Sequence, residues 1–244
     1  MASLELRRKQ AWIENFGVRP IANSEWMAAM MRRSPMFENI DSIPIIPPIV
    51  EDVFQPTRSR VKAKKSIGVT DDHFVVGLSA SSLTDPGKGI VEFFEGLPVG
   101  AAWLERVLFV LIGDGTVRVP SGVSAHFTGR IEDSSKLSML YGVCDLVVSA
   151  SFMETFGMAV LEAQACGTPV LAFRNGGISE AVYSSEPCGL LPDRNFSALY
   201  AAIEARVNRG PETEAVRLEL AGWVASRHGP ESIVERQIEI YEQK

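Results

Sequence analysis

Glu154, Glu162 and Lys88 are the side chains whose surroundings best suit chemistry. Glu154 lies in a polar turn, Ala150 to Thr155, that follows the apolar run Cys144 to Ser149. Glu162 lies in the stretch Gly157 to Cys166, which reads as a helix. From Gly157 to Glu162 that helix rises roughly 7.5 Å at 1.5 Å per residue. Its N-terminus falls between the two acids, and free N–H groups there favour an anion. An acid before the helix, an anion at its start and an acid a turn and a half in make a layout for a long, partly anionic ligand. A carboxylate can accept two hydrogen bonds from a vicinal diol, as a sugar or ribose presents. By itself the pair also fits a helix-dipole carboxylate and a solvated helix residue. Lys88 stands at a helix start, closing the small-residue loop Ser79-Ala80-Ser81-Ser82-Leu83-Thr84-Asp85-Pro86-Gly87-Lys88-Gly89. Backbone N–H groups plus one point charge suit a diphosphate. The loop lacks the G-x-x-x-x-G-K-S/T spacing of a Walker A sequence.

These loops need strands and helices to hold them. Cys144 to Ser149 and Val170 to Phe173 read as buried parallel strands joined through the 157–166 helix, which Gly167-Thr168-Pro169 stops. Further strands are expected at His73 to Ser79, Arg106 to Ile112, Ser124 to Thr128 and Gly189 to Leu191. Helices are expected from Gly89, at Ser134 to Gly142, Gly177 to Val182, Ser197 to Val207, Glu212 to Ser226 and Glu231 to Glu242. Strands alternating with helices at this rhythm predict an α/β fold with a doubly wound parallel sheet, and such sheets bind ligands at the carboxyl ends of their strands. Before them, residues 4 to 16 read as a helix, Val18 to Ala22 as a strand, Asn23-Ser24 as a cap and the following residues to Arg33 as a helix with Met27, Met30 and Met31 as a core stripe. Ser42 to Ile46 is a further expected strand, Pro47 to Pro56 a linker, and Arg58 to Ser66 a basic helix.

The 244 residues suffice for one large or two modest domains, and 46% hydrophobic with 22% charged residues describes a globular chain. A net charge of −6 argues against a general nucleic-acid binder. Early Lys and Arg residues, from Arg7 to Lys65, read as solvated helix faces, with a membrane-surface contact as the other reading. Cys144, Cys166 and Cys188 have no metal-ligand spacing and read as reduced core residues. The sequence has no apolar stretch approaching 18 residues and no signal-peptide pattern at its N-terminus.

The stretch around the two acids resembles the E-x7-E signature of retaining GT-B glycosyltransferases, in particular glycosyltransferase family 4 as found in bacterial polysaccharide biosynthesis. The residues that carry it are Ser151, Glu154, Phe156-Gly157, Glu162-Ala163, Ala165 and Gly167-Thr168-Pro169-Val170, with Ala150 in place of the family's Pro. Lys88-Gly89 is similar to the second half of the family's G-R-L-x-x-x-K-G loop, while Ser82 stands where its Arg is expected. Gly113-Asp114-Gly115 resembles the family's G-D/E-G turn, read either as a structural turn or as a ligand contact. Phe127-Thr128-Gly129-Arg130-Ile131 resembles the segment whose backbone brackets the nucleobase, and Arg130 is a candidate for the missing diphosphate cation. Gly176-Gly177-Ile178-Ser179-Glu180 resembles G-G-x-x-E, with Glu180 read as a local cap or pair.

The resemblance implies the donor-binding half of an enzyme that transfers a sugar, with retention, from a UDP- or GDP-linked donor to a saccharide or lipid-linked acceptor. Glu154 and Lys88 are the implied catalytic residues. Glu162, Thr155, Phe156, Gly157, Ser82, Arg130, Ile131 and Gly113 are the implied donor contacts. No metal and no separate cofactor are expected. Residues 1–46 are the implied tail of an acceptor domain, 47–229 the nucleotide-sugar domain and 230–244 a helix crossing back. The acceptor domain would come from elsewhere in the polypeptide, from a partner chain or from a homo-oligomer; the alternative is a non-catalytic nucleotide-sugar module. Exposed apolar side chains on residues 1–46 favour the former and a polar surface the latter. The expected location is cytoplasmic, with a peripheral contact to the inner membrane face as the variant.

Overall fold

The computed structural model describes residues 2–38, 40, 43–48, 50, 52–57, 60–66, 69 and 73–242. Among these, six parallel strands form one sheet: β1 (Phe74–Ser82), β2 (Val107–Asp114), β3 (Ser124–Gly129), β4 (Leu146–Ser149), β5 (Val170–Phe173) and β6 (Gly189–Leu191), in the order β3-β2-β1-β4-β5-β6. The inner strands β1, β2, β4 and β5 read as largely apolar runs because helices cover both faces, while the edge strand β3 is mostly exposed. Alternate residues then serve opposite cores. Val75, Val110, Val147 and Val170 pack with residues of α5 (Ser134–Val143), α6 (Met158–Ala165) and α9 (Glu214–His228). Val76, Phe109, Leu146 and Leu171 pack on the other side, with α4 (Ile90–Glu95) and α8 (Phe196–Arg209). There Phe93, Phe94 and Phe109 meet edge to face at 5.2 to 5.7 Å between centroids, each contact adding about 0.5–1.5 kcal/mol beyond burial. α7 (Ile178–Ala181) and α10 (Pro230–Glu242) complete the C-terminal part.

The N-terminal part contains α1 (Ala2–Asn15) and α2 (Glu25–Arg32), and α3 (Arg60–Ser66) follows. The two strands expected around Ala22 and Ile45 are reduced to one parallel bridge between those residues; Ser42 lies outside the described residues, as does Arg58 of the expected basic helix. Pro20, Pro44 and Pro47 bring no N–H to a ladder, and two short segments without a third do not make a stable sheet. A small core forms all the same: Ala22, Ala28 and Ile43 are buried, with Met27, Met31 and Phe37 packed on them. Met30 is outside that cluster.

The basic helix departs from a solvated face. Arg60 and Lys64 turn inward to Asp145, at 2.6 and 3.4 Å, and Lys64 is 6% exposed. Arg60 also donates to the carbonyls of Gly142, Val143 and Cys144, and Arg217 donates to those of Gly142 and Cys166. These carbonyls lie at the ends of α5 and α6, where cations are favoured.

All three cysteines are buried and free. Burial pushes each thiol up to about 12, so all three stay protonated at neutral pH. Their titration with an aromatic disulfide reagent is expected to show no fast-reacting thiol in the native chain and three in denaturant. Among the described residues no helix is long and apolar enough to cross a membrane.

Candidate functional site

β1 and β4 are neighbours in the sheet, and the chain departs from them toward opposite edges. Their loops therefore open at a switch point, where a crevice forms beyond the carboxyl ends. A cavity of about 450 Å³ fills that crevice.

The β1 loop is shaped by its own turn chemistry. The side chain of Asp85 accepts from the Gly87 amide at 2.7 Å, and Pro86 starts a short 3-10 turn that ends at Lys88. The Phe152 amide then donates to the Gly87 carbonyl at 2.8 Å, tying this loop to the one after β4. That tie brings Lys88 Nζ to 2.7 Å from Glu154 Oε1, with the two side chains 31% and 18% exposed. α6 starts directly beyond, from Gly157 at φ 103°, without a side-chain cap on its first amides. Glu162 faces the same cavity from the second turn of α6.

The wall opposite comes from β2 and β3. Gly113, Arg130 and Ile131 line it. Gly113 has φ 144°, and a Cβ there would lie 1.9 Å from the Ala80 carbonyl oxygen, so β1 and β2 can close this side only around glycine. The Arg130 guanidinium lies 3.4 Å from Glu132 and 3.9 Å from Asp114, with its side chain 60% exposed.

Nine of the ten residues singled out from the sequence thus line one cavity: Lys88, Gly113, Arg130, Ile131, Glu154, Thr155, Phe156, Gly157 and Glu162. Ser82 is outside its wall. β1 runs on to Ser82, pairing it with Asp114 across a register shift after Ser79, and Ser82 Oγ meets Thr84 Oγ1 at 3.1 Å. Ser79, Ala80 and Ser81 line the cavity instead. Sequence reasoning also missed Tyr141, Asn23 and Pro48 in the wall. Tyr141 is 1% exposed and donates to Ser79 Oγ at 3.0 Å. Burial, and then the Glu162 charge, hold its hydroxyl protonated far above the usual tyrosine range. Tyr141 sits in an apolar helix and reads as core; Asn23 reaches the cavity from the N-terminal part and Pro48 from the expected linker, and no spacing rule connects either to it. Among the described residues no group of three or more His, Cys, Asp or Glu side chains is placed to hold a metal ion.

A family model for group 1 glycosyl transferases matches residues 75–209, which includes every one of the nine. The chain is 38% identical over 219 residues to a D-inositol 3-phosphate glycosyltransferase of Saccharomonospora viridis, covering 82% of this chain and 50% of that protein. It is 42% identical over 96 residues to the protein of the same name from Pseudarthrobacter chlorophenolicus, covering 36% of this chain and 22% of that one. The chain spans half or less of the length of these curated relatives. Among solved structures, Anabaena Alr3699/HepE in complex with UDP and glucose superposes with a TM-score of 0.76 at 21% identity, over 98% of this chain and 67% of that one. Sucrose-phosphate synthase from Thermosynechococcus elongatus superposes with a TM-score of 0.74 at 23% identity, over 91% and 57%. With its parallel six-stranded sheet, its GT-B neighbours and a family match over residues 75–209, the chain belongs to the group 1 glycosyl transferases, in the manner of glycosyltransferase family 4.

Proposed function

We propose that the chain is the donor-binding half of a retaining glycosyltransferase that takes a nucleotide diphosphate sugar, UDP-linked in preference to GDP-linked. The observation that carries this reading is the single cavity gathering Lys88, Glu154, the uncapped start of α6 and Glu162. Glu162 accepts from the ribose diol, and Glu154 from hydroxyls of the transferred sugar. Between them the α6 amides and Lys88 take the diphosphate, with Arg130 as the second cation. The backbone around Ile131 and Gly113 brackets the base. The preference for uracil draws on Alr3699/HepE, which shares the fold and was solved with UDP and with UDP-glucose.

In the reaction, the bond from the sugar C1 to the leaving phosphate oxygen breaks. The acceptor oxygen forms its new bond to C1 on the same face, and its proton passes to the departing phosphate. Lys88 and the α6 amides stabilise the charge that grows on that phosphate, a preorganised electrostatic role. The positive charge this requires comes from side chains and amides, so the reading calls for no metal ion. Retention and the saccharide or lipid-linked acceptor are carried over from the resemblance in the residues around Glu154 and Glu162.

The acceptor belongs to a second unit facing the cavity, either in the same polypeptide or in another chain. Leu4, Trp12 and Phe16 of the N-terminal part are 59%, 56% and 71% exposed, and Val234, Ile238 and Tyr241 of α10 are 42%, 50% and 71% exposed. Apolar side chains left bare at both ends of the chain favour a covering unit over a free-standing nucleotide-sugar module. The division at about residue 46 and the crossing back of residues 230–244 are part of this reading, as is a cytoplasmic location with a peripheral membrane contact.

Isothermal titration of the 244-residue chain with UDP, GDP and their sugar conjugates tests the reading. UDP is expected to bind, and Glu162→Ala to weaken it about tenfold or more, in line with roughly 1.5–3 kcal/mol for a hydrogen bond to a charged group. Wild-type chain that takes up neither nucleotide overturns it.

A further inference from the structure

Glu180 reaches well beyond its own turn. Its carboxylate accepts from the Glu25 amide at 2.8 Å and from the Trp26 amide at 3.0 Å, 155 and 154 residues away in sequence. These are the first two amides of α2, which have no partner inside the helix. Ser24 Oγ accepts from the third, Met27, at 3.0 Å. The start of α2 is thus capped jointly by its own N-cap residue and by a carboxylate from α7.

The same cap touches the loop that carries Glu154. Ser24 is fully buried and donates from Oγ to the Thr155 carbonyl at 2.8 Å. Asn23 Nδ2 lies 3.4 Å from Thr155 Oγ1. From the other side, the Gly177 amide donates to the Glu154 carbonyl at 2.7 Å. Gly177 is where three segments meet: a Cβ on it would stand 2.1 Å from the Thr155 carbonyl oxygen and 2.9 Å from Ser24 Oγ. The carbonyls of Glu154 and Thr155 are therefore held between the turn leading into α7 and the turn leading into α2. Glu180 is the side chain that joins those two turns.

We infer that Glu180 is a positioning residue for the donor loop: by fastening the start of α2, it keeps Asn23 and Ser24 against Thr155 and so fixes both Glu154 and the start of α6, which takes the diphosphate of UDP. The ligand in this inference rests on the donor reading above; the geometry does not. A carboxylate that served only to cap α2 would leave the loop indifferent to its removal. Here the capped helix start and the loop share the side chain of Ser24, and Asn23 itself lines the cavity. The placement of the N-terminal part is in this way transmitted to the residues proposed to hold the diphosphate and the sugar.

The experiment compares wild type, Glu180→Ala, Ser24→Ala and the double variant in the full 244-residue chain. Three quantities are read: UDP affinity by titration calorimetry, amide hydrogen exchange by segment, and melting temperature. Glu180→Ala is expected to weaken UDP about tenfold. It is also expected to speed exchange both at 25–27 and at 154–157, with β1 and β2 unchanged. The double variant is expected to bind UDP no more than about threefold worse than the weaker single variant, because both changes break one junction. Glu180→Gln keeps one acceptor oxygen and is expected to fall between wild type and Glu180→Ala; it carries the test if the alanine variant does not fold. Faster exchange confined to 25–27, or unchanged UDP affinity in a folded variant, would overturn the inference. Should wild type bind no UDP, the donor reading fails, and exchange at 154–157 still decides whether Glu180 holds the loop.

Discussion

Replacing Asp145 with alanine is expected to lower stability by about 3–5 kcal/mol, the cost of leaving buried charges without their partner. The Asp145 carboxylate has no exposure and accepts from three donors: Arg60 at 2.6 Å, Lys64 at 3.4 Å and the Val75 amide at 2.8 Å. Arg217 adds a third cation beside them. Its guanidinium is pushed down to about 10, first by burial and then by the charge of Arg60, with Asp145 acting in the opposite direction. Positive charge is therefore already in excess at this point of the core, and Asp145 offsets it. Without it, Lys64 and the Val75 amide lose a partner in a place water does not reach. Urea unfolding followed by circular dichroism measures the loss, and Asp145→Asn is expected to lose less because it keeps one acceptor for Val75 or Arg60. A midpoint that moves by the equivalent of less than about 1 kcal/mol would show that the cations find other partners. The effect extends to function, because β4, which begins at Leu146, leads into the loop of Glu154.

Lys88→Met is the second large effect, and it separates the phosphate from the rest of the ligand. It is expected to weaken UDP about thirtyfold or more while changing uridine binding by less than about threefold. The roughly thirtyfold figure corresponds to about 2 kcal/mol, within the range for hydrogen bonds to charged groups. Lys88 is 31% exposed and already fixed against Glu154, whereas Arg130 is 60% exposed and shared between Asp114 and Glu132. A more exposed cation contributes less, so Arg130→Ala is expected to weaken UDP only about threefold. Added salt should erode the Lys88 effect only slightly and the Arg130 effect more. A larger effect of Arg130→Ala than of Lys88→Met would place the diphosphate nearer β3 than α6 and overturn the assignment of Lys88.

Much of this architecture is legible in the linear sequence, for reasons that also mark its limits. Val170 to Phe173 and Gly189 to Leu191 stand in the fold with the ends read from the sequence, because short apolar runs between turn residues have few other uses in a doubly wound sheet. The loops of Lys88 and Glu154 were legible because their chemistry is local: Asp85-Pro86 starts one turn and Gly157 starts one helix. What the sequence hid depends on distant partners. Arg60 and Lys64 look like an exposed basic face until Asp145, about 80 residues on, turns them inward. Glu180 looks like a local cap until α2 is placed beside it. The strand at Val18 to Ala22 failed for the opposite reason, since its periodicity is present but the ladder that would use it is not.

The strand order carries a consequence for how such a molecule can change. On the proposed reading, Gly113 and Ile131, beyond β2 and β3, bracket the base, while Glu154, beyond β4, faces the transferred sugar. β1 stands between the two groups as a partition, contributing Lys88 at the seam. On that reading, a drift in which base is preferred can accumulate on one flank without disturbing which sugar is preferred on the other. A graft of residues 107–131 between relatives is then expected to exchange the base preference and leave the sugar preference in place.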